Sequence, residues 1–128
     1  MKTVIVIDDY TPIFELFEIC LEGVAQVITA KNFQEARNII EDEEIDVTKV
    51  EIIALDGCLE STHLDTIELI TPLHKKFPLA KIIAISVKPE ISQEMVKQGC
   101  EELIPKGDSF IKIKKMIEKE GEINSLPN

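Results

Sequence analysis

"TVIVIDDYTPIFELFEICLE", residues 3–22, decides the fold. It opens with five β-branched residues in a row, with no polar alternation. Such a run reads as a strand buried on both faces rather than one half exposed to water. The acidic pair Asp8-Asp9 ends it. Thr11-Pro12 then reads as an N-cap followed by proline in the first helical turn, where its missing N–H costs nothing. Beyond it, Ile13, Phe14, Phe17, Cys20 and Leu21 fall near one face of a helix over 12–22. The stretch is therefore one strand-helix unit with a carboxylate-bearing turn.

The same unit recurs along the chain. "AQVITA" (25–30) precedes a helical pattern over 32–44, and "VEIIAL" (50–55) precedes one over 63–77. "KIIAIS" (81–86) precedes 89–99, and the weaker "EELI" (101–104) precedes 109–120. Five alternating units imply an α/β protein with a parallel sheet covered by helices on both faces. With right-handed crossovers, the simplest arrangement is a flavodoxin-like, doubly wound (βα)5 fold with strand order 2-1-3-4-5. Ser61 or Thr62 is expected to cap the third helix, with Asp65 at capping-box distance from Thr62. Pro72, inside that pattern, predicts a kink or an early break. Pro89 should open the fourth helix and Gly99 close it. Residues 40–51 hold more chain than a tight connection needs, so an extended turn is expected there.

Composition narrows the function classes. The chain has 128 residues, 45% of them hydrophobic, which suits one domain with a single sizeable core. Its net charge of −10 argues against unspecific nucleic-acid binding, which needs a basic footprint. The segment "KIKKMIEK" (112–119) reads as a solvated helix face rather than a binding patch. The three cysteines are widely spaced and odd in number, which is neither a disulfide framework nor a zinc pattern. Cys20 and Cys100 read as small buried apolar residues, and His63 and His74 as surface or capping residues. The apolar run at the start is too short for a signal peptide or a membrane span, so a cytoplasmic protein is expected.

In an open α/β sheet, ligands bind beyond the carboxyl ends of the strands, where the strand order reverses. The first strand ends in Asp8-Asp9, the third in Asp56, the fourth in Ser86, and the fifth runs into Lys106. Taken singly, each is an ordinary residue at a strand end. Together, three carboxylates, a hydroxyl and an ammonium would meet on one edge. Crowded carboxylates repel unless a cation joins them, and oxygen ligands with phosphate suit magnesium. An aspartate can itself be the nucleophile that takes up a phosphoryl group. The residues Asp8, Asp9, Asp56, Ser86 and Lys106 supply the parts that phosphoryl transfer requires.

In this order, these residues resemble the receiver domain of two-component response regulators, over residues 3 to about 120. The resemblance implies that Asp56 accepts a phosphoryl group from a histidine kinase or histidine phosphotransfer protein. It further implies that Asp9 and Asp56 ligate Mg2+ directly, that Asp8 acts through water, and that the backbone carbonyl of Cys58 is another ligand. Ser86 and Lys106 would contact the phosphoryl group and pass the change to the face made by the fourth helix, fifth strand and fifth helix. Output would be contact with a downstream protein the sequence does not name, or phosphoryl relay to another histidine protein, with neither nucleic acid nor membrane involved. The expected organisation is a receiver-like domain over 1–120 and a short tail over 121–128, with no effector domain in this chain.

Several positions depart from the family pattern. Glu60 replaces a proline four residues after the acceptor, and "ESTHLDT" lacks the usual glycine. Val87 replaces alanine, Leu103 replaces an aromatic switch residue, and Gly107 replaces the proline after the lysine. These departures motivate a rival reading, a receiver-like protein-interaction module that works independently of phosphorylation. A flavodoxin-like cofactor binder is disfavoured, because no Ser/Thr/Gly-rich loop follows the first strand. A hydrolase with its nucleophile after the first strand would need a D-x-D pattern that "DDY" lacks.

Overall fold

A computed structural model describes residues 1–125. Five parallel strands, β1 (Lys2–Ile7), β2 (Ala25–Ala30), β3 (Val50–Leu55), β4 (Lys81–Ala84) and β5 (Glu102–Leu103), form one sheet. Its order is β2-β1-β3-β4-β5. The helices are α1 (Pro12–Cys20), α2 (Phe33–Glu41), α3 (Ile67–Lys76), α4 (Pro89–Lys97) and α5 (Ser109–Ser125). A 3-10 turn, Lys106–Asp108, leads into α5. The doubly wound α/β fold is the one the repeated strand-helix units predict. The expected tail over 121–128 ends at 126–128, outside the described residues.

The uninterrupted apolar runs have a simple cause. Val4, Ile5, Val6 and Ile7 are all fully buried, because side chains alternate across a sheet with a core on each face. Ile5, Ile7, Ile53 and Leu55 point into a core with Ala36 and Ile39 of α2, Leu69, Ile70 and Leu73 of α3, and Met95 of α4. Val4, Val6, Ile52 and Ala54 point into the other core, with Ile13 and Phe17 of α1 and Ile113 and Ile117 of α5. Helices α1 and α5 thus cover one face and α2, α3 and α4 the other.

Local signals behave as physical chemistry dictates in most places. Asn32 caps α2, its side chain accepting from the Glu35 N–H at 2.8 Å, while Glu35 Oε1 accepts from the Lys31 N–H. Pro89 opens α4, and Gly99, at φ +126°, lies just beyond its end. The connection 42–49 is a series of turns, with Asp46 accepting from the N–H and hydroxyl of Thr48.

Some expectations need correction. Helix α3 begins at Ile67, not His63, and its N-cap is Thr66; Ser61 and Thr62 lie in the preceding loop and cap nothing. Pro72 does not end α3, which runs on to Lys76. The carbonyl that loses its partner is that of Glu68, an exposed residue that water can satisfy, so the break does not occur. Cys20 is only partly buried, at the seam between α1 and α5, where its thiol lies 3.5 Å from the Phe110 carbonyl. His74 agrees with the surface or capping role expected of it: at the end of α3, its Nε2 lies 3.0 Å from the Gly99 carbonyl, just beyond α4, and 3.1 Å from Glu101 Oε1.

Candidate functional site

The sheet register assembles the site. Ile7 pairs with Leu55, and the Asp56 N–H continues the ladder by donating to the Ile7 carbonyl at 2.9 Å. That bond sets Asp56 beside Asp8. On the other side the Ile85 N–H donates to the Leu55 carbonyl, which brings Ser86 alongside Asp56. The turn after β5 then carries Lys106 over both carboxylates. The site lies between β1 and β3, where α1 leaves for one face of the sheet and α3 for the other.

Asp8 is completely buried and Asp56 nearly so, while Asp9 is exposed. Lys106 Nζ lies 2.9 Å from Asp8 Oδ1 and 3.5 Å from Asp56 Oδ2. Backbone donors complete the arrangement: the Tyr10 N–H reaches Asp8 Oδ1 at 2.9 Å and the Gly57 N–H reaches Asp56 Oδ1 at 2.9 Å. The Tyr10 ring stacks over the Lys106 ammonium, 5.6 Å from its centroid. Ser86 Oγ accepts from the Lys88 N–H, and the Ser86 N–H donates to Ser92 Oγ, both at 3.2 Å.

One ammonium does not satisfy two buried carboxylates. Burial, then the charge of Asp8, pushes the Asp56 carboxyl up to about 7 against the opposing charge of Lys106. Burial likewise raises the Asp8 carboxyl, despite its hydrogen bond to Lys106. For Lys106, burial would weaken the charged form, but the hydrogen bond and charge of Asp8 and the charge of Asp56 outweigh it and hold the ammonium above its ordinary range. The carboxyls titrate as a pair that shares one cation.

The residues fit a hard divalent ion. Carboxylate oxygens of Asp8, Asp9 and Asp56 lie within 4.8 Å of one another. Asp8 Oδ2 is buried without a hydrogen-bond partner, as an oxygen waiting for a cation would be. When all three carboxylates are ionised, the single ammonium leaves the cluster two net negative charges, matched to a divalent ion, and the donors are all oxygen.

Asp8, Asp9, Asp56 and Lys106 therefore meet, while Ser86, bonded within its own turn, lines a groove together with Lys106. Cys58 follows two residues after Asp56 and is partly buried. Burial, then the charges of Asp56 and Asp65, raises its thiol, which keeps it in the inert protonated form. Leu103 and Val87 are 41% and 73% exposed, so neither packs as a buried switch. Val87 instead lines an open groove of about 410 Å³ with Tyr10, Leu16, Lys106 and Phe110, beside the carboxylates.

Sequence reasoning missed Thr66 and gave Asp65 another role, as capping-box partner of Thr62. The Thr66 hydroxyl, fully buried, donates to the Asp56 carbonyl at 2.8 Å. Asp65 accepts from the Leu59 N–H at 2.8 Å, the Glu60 N–H at 3.0 Å and the Ser61 hydroxyl at 3.1 Å. A signal was present: "DT" directly precedes the helical segment "IELI" (67–70), nearer to it than Ser61 or Thr62.

No protein-family model matches the sequence, and comparison with curated proteins finds no match. Solved structures do match. A Burkholderia pseudomallei response regulator with a phosphorylated aspartic acid, calcium ion and citrate is 22% identical with a TM-score of 0.72, covering 98% of this chain and 76% of its own. A Thermotoga maritima response regulator in complex with Mg(2+)-BeF is 24% identical with a TM-score of 0.70, covering 93% and 98%. A receiver domain protein from Methanospirillum hungatei is 22% identical with a TM-score of 0.68, covering 95% and 98%. The chain has the fold of response-regulator receiver domains, with an acidic cluster at the carboxyl edge of its sheet.

Proposed function

We propose that this protein is a phosphorylatable signalling switch that accepts a phosphoryl group on Asp56 and signals through contact with a downstream protein. A histidine kinase or histidine phosphotransfer protein is the donor. The observation that carries the reading is the Asp56 carboxylate itself: nearly buried, one oxygen held by the Gly57 N–H, the other facing Lys106, with Asp8 and Asp9 alongside. On this reading, residues 1–120 form the receiver-like unit, 121–128 its short tail, and the protein is cytoplasmic. Among the described residues no helix is long and apolar enough to cross a membrane.

The chemistry follows from the residues. An Asp56 oxygen attacks phosphorus, an O–P bond forms, the N–P bond of the phosphohistidine breaks, and the electron pair leaves on the imidazole nitrogen. Asp8, Asp9, Asp56 and the Cys58 carbonyl would hold Mg2+. When bound, that ion neutralises charge on the phosphoryl oxygens. Lys106 supplies a fixed positive charge beside Asp8 and Asp56. Ser86 Oγ already accepts from the Lys88 N–H, so its own proton is left to donate to a phosphoryl oxygen. The domain turns over no substrate of its own beyond transfer to, and loss from, Asp56.

Fluorine NMR with Mg2+ and beryllofluoride tests the reading. Bound fluoride resonances should appear with the wild-type protein and vanish with Asp56→Asn; their absence from wild type would refute the reading. The exposure of Leu103, where an aromatic switch would pack, favours one alternative, a receiver-like interaction module independent of phosphate. That alternative requires Asp56→Asn to leave partner binding unchanged.

A further inference from the structure

Of the three peptide units from Asp56 to Leu59, Thr66 holds the first, Asp65 the third and the two together the second. The first joins Asp56 to Gly57: its carbonyl accepts from the Thr66 hydroxyl at 2.8 Å, and its N–H donates to the carboxylate of Asp56 at 2.9 Å. The second joins Gly57 to Cys58: its carbonyl accepts from the Asp65 N–H at 2.9 Å and from the Thr66 hydroxyl at 3.3 Å. The third joins Cys58 to Leu59: its N–H donates to Asp65 Oδ1 at 2.8 Å. No peptide in the described chain is cis. In a trans peptide the carbonyl and N–H point in opposite directions, so holding the Leu59 N–H fixes the direction of the Cys58 carbonyl.

These bonds are unusual for their place in the fold. A threonine at a helix N-cap ordinarily accepts from an N–H of the first turn, yet Thr66 makes no such bond and turns its proton to two carbonyls instead. The other side of the segment is closed by α4: a Cβ added at Gly57 would collide with Ile91 Cγ2 and lie 3.1 Å from Met95 Sδ. Residues 56–58 are thus gripped between α4 and the Asp65-Thr66 pair, in the loop that lacks the proline and glycine of the receiver pattern.

We propose that Thr66 and Asp65 are positioning residues for the phosphoryl and metal site. Thr66 fixes the peptide whose N–H orients the Asp56 carboxylate. Asp65 fixes the peptide that presents the Cys58 carbonyl. The inference rests on the reading of Asp56 as the acceptor, and it adds how this chain holds the acceptor segment in place.

Calorimetric titration with Mg2+ alone tests it, on wild type, Thr66→Val, Thr66→Ser, Thr66→Ala and Asp65→Ala, below the unfolding temperature of each. Thr66→Val and Asp65→Ala should weaken Mg2+ binding about 10-fold or more, and Thr66→Ser should stay within about twofold of wild type. Thr66 carries no charge, so its effect is not a change in long-range attraction. A purely structural role would lower the unfolding temperature in EDTA and leave the Mg2+ affinity of the folded protein unchanged. Binding by Thr66→Val and Asp65→Ala within about twofold of wild type overturns the proposal. So does a loss in Thr66→Ser equal to that in Thr66→Val. Should Thr66→Val and Asp65→Ala fail to fold, Thr66→Ala decides, because it removes the hydroxyl without changing charge: weaker binding supports the proposal and unchanged binding overturns it. Absence of Mg2+ binding by wild type would instead overturn the acceptor-site reading.

Discussion

Replacing Asp56 with asparagine should stabilise the metal-free protein at alkaline pH and do little at acid pH. Asp56 faces Asp8 and Asp9 from the turn after β1 and Lys106 from the turn after β5, and burial with the charge of Asp8 raises its carboxyl from 3.8 to about 7. A folded-state value above the unfolded one means that the folded protein binds the proton more tightly. The stability this confers is complete below about pH 4 and is lost as pH rises through about 7. A difference of about three units, at about 1.4 kcal/mol each, makes the loss at pH 8 about 4 kcal/mol at most. Part of the shift belongs to the Asp8–Asp56 pair jointly, so a gain of about 2–4 kcal/mol is expected from Asp56→Asn at pH 8. Urea unfolding in EDTA at pH 4.5 and pH 8, analysed by linear extrapolation, measures it. The wild-type midpoint should fall between the two pH values while that of the variant changes less. An Asp56→Asn protein less stable than wild type at pH 8 would refute the electrostatic reasoning.

Further outcomes follow from the same structure. Adding Mg2+ at pH 8 should raise the wild-type urea midpoint and narrow its gap to Asp56→Asn, because ligand that binds only the folded state stabilises it. Lys106→Met should cost about 3 kcal/mol in EDTA at pH 8 by leaving the Asp8 carboxylate buried and uncompensated, with Mg2+ recovering part of the loss in the same unfolding assay. Asn32→Ala should cost about 1 kcal/mol in urea unfolding without altering Mg2+ affinity, because the bond it removes goes to the Glu35 N–H and to none of the three carboxylates.

The fold was legible because its strands are buried on both faces, which writes them as β-branched runs with no polar interruption, and because each is followed by residues at helical spacing. The site was legible because functional groups of a doubly wound sheet gather at strand ends, so Asp8, Asp56, Ser86 and Lys106 each follow an apolar run. What resisted was the loop after Asp56. Ser61, Thr62 and Thr66 all carry the chemistry of a helix cap, and only tertiary packing decides that α3 starts at Ile67 and that the Thr66 hydroxyl serves two carbonyls. Of the kink or early break expected at Pro72, the break fails for a related reason: the rule against proline in a helix weighs one lost bond, but the carbonyl concerned belongs to the exposed Glu68. The 2.9 Å contact between Lys106 and Asp8 spans 98 residues, a separation over which local pattern carries no distance.

Intact-mass measurement after incubation with acetyl phosphate and Mg2+, followed by peptide mapping, tests the central claim most directly. The account predicts one phosphoryl group per chain, located on Asp56, absent in EDTA and absent from Asp56→Asn. An unmodified wild-type protein, or a phosphoryl group on any other residue, would contradict it.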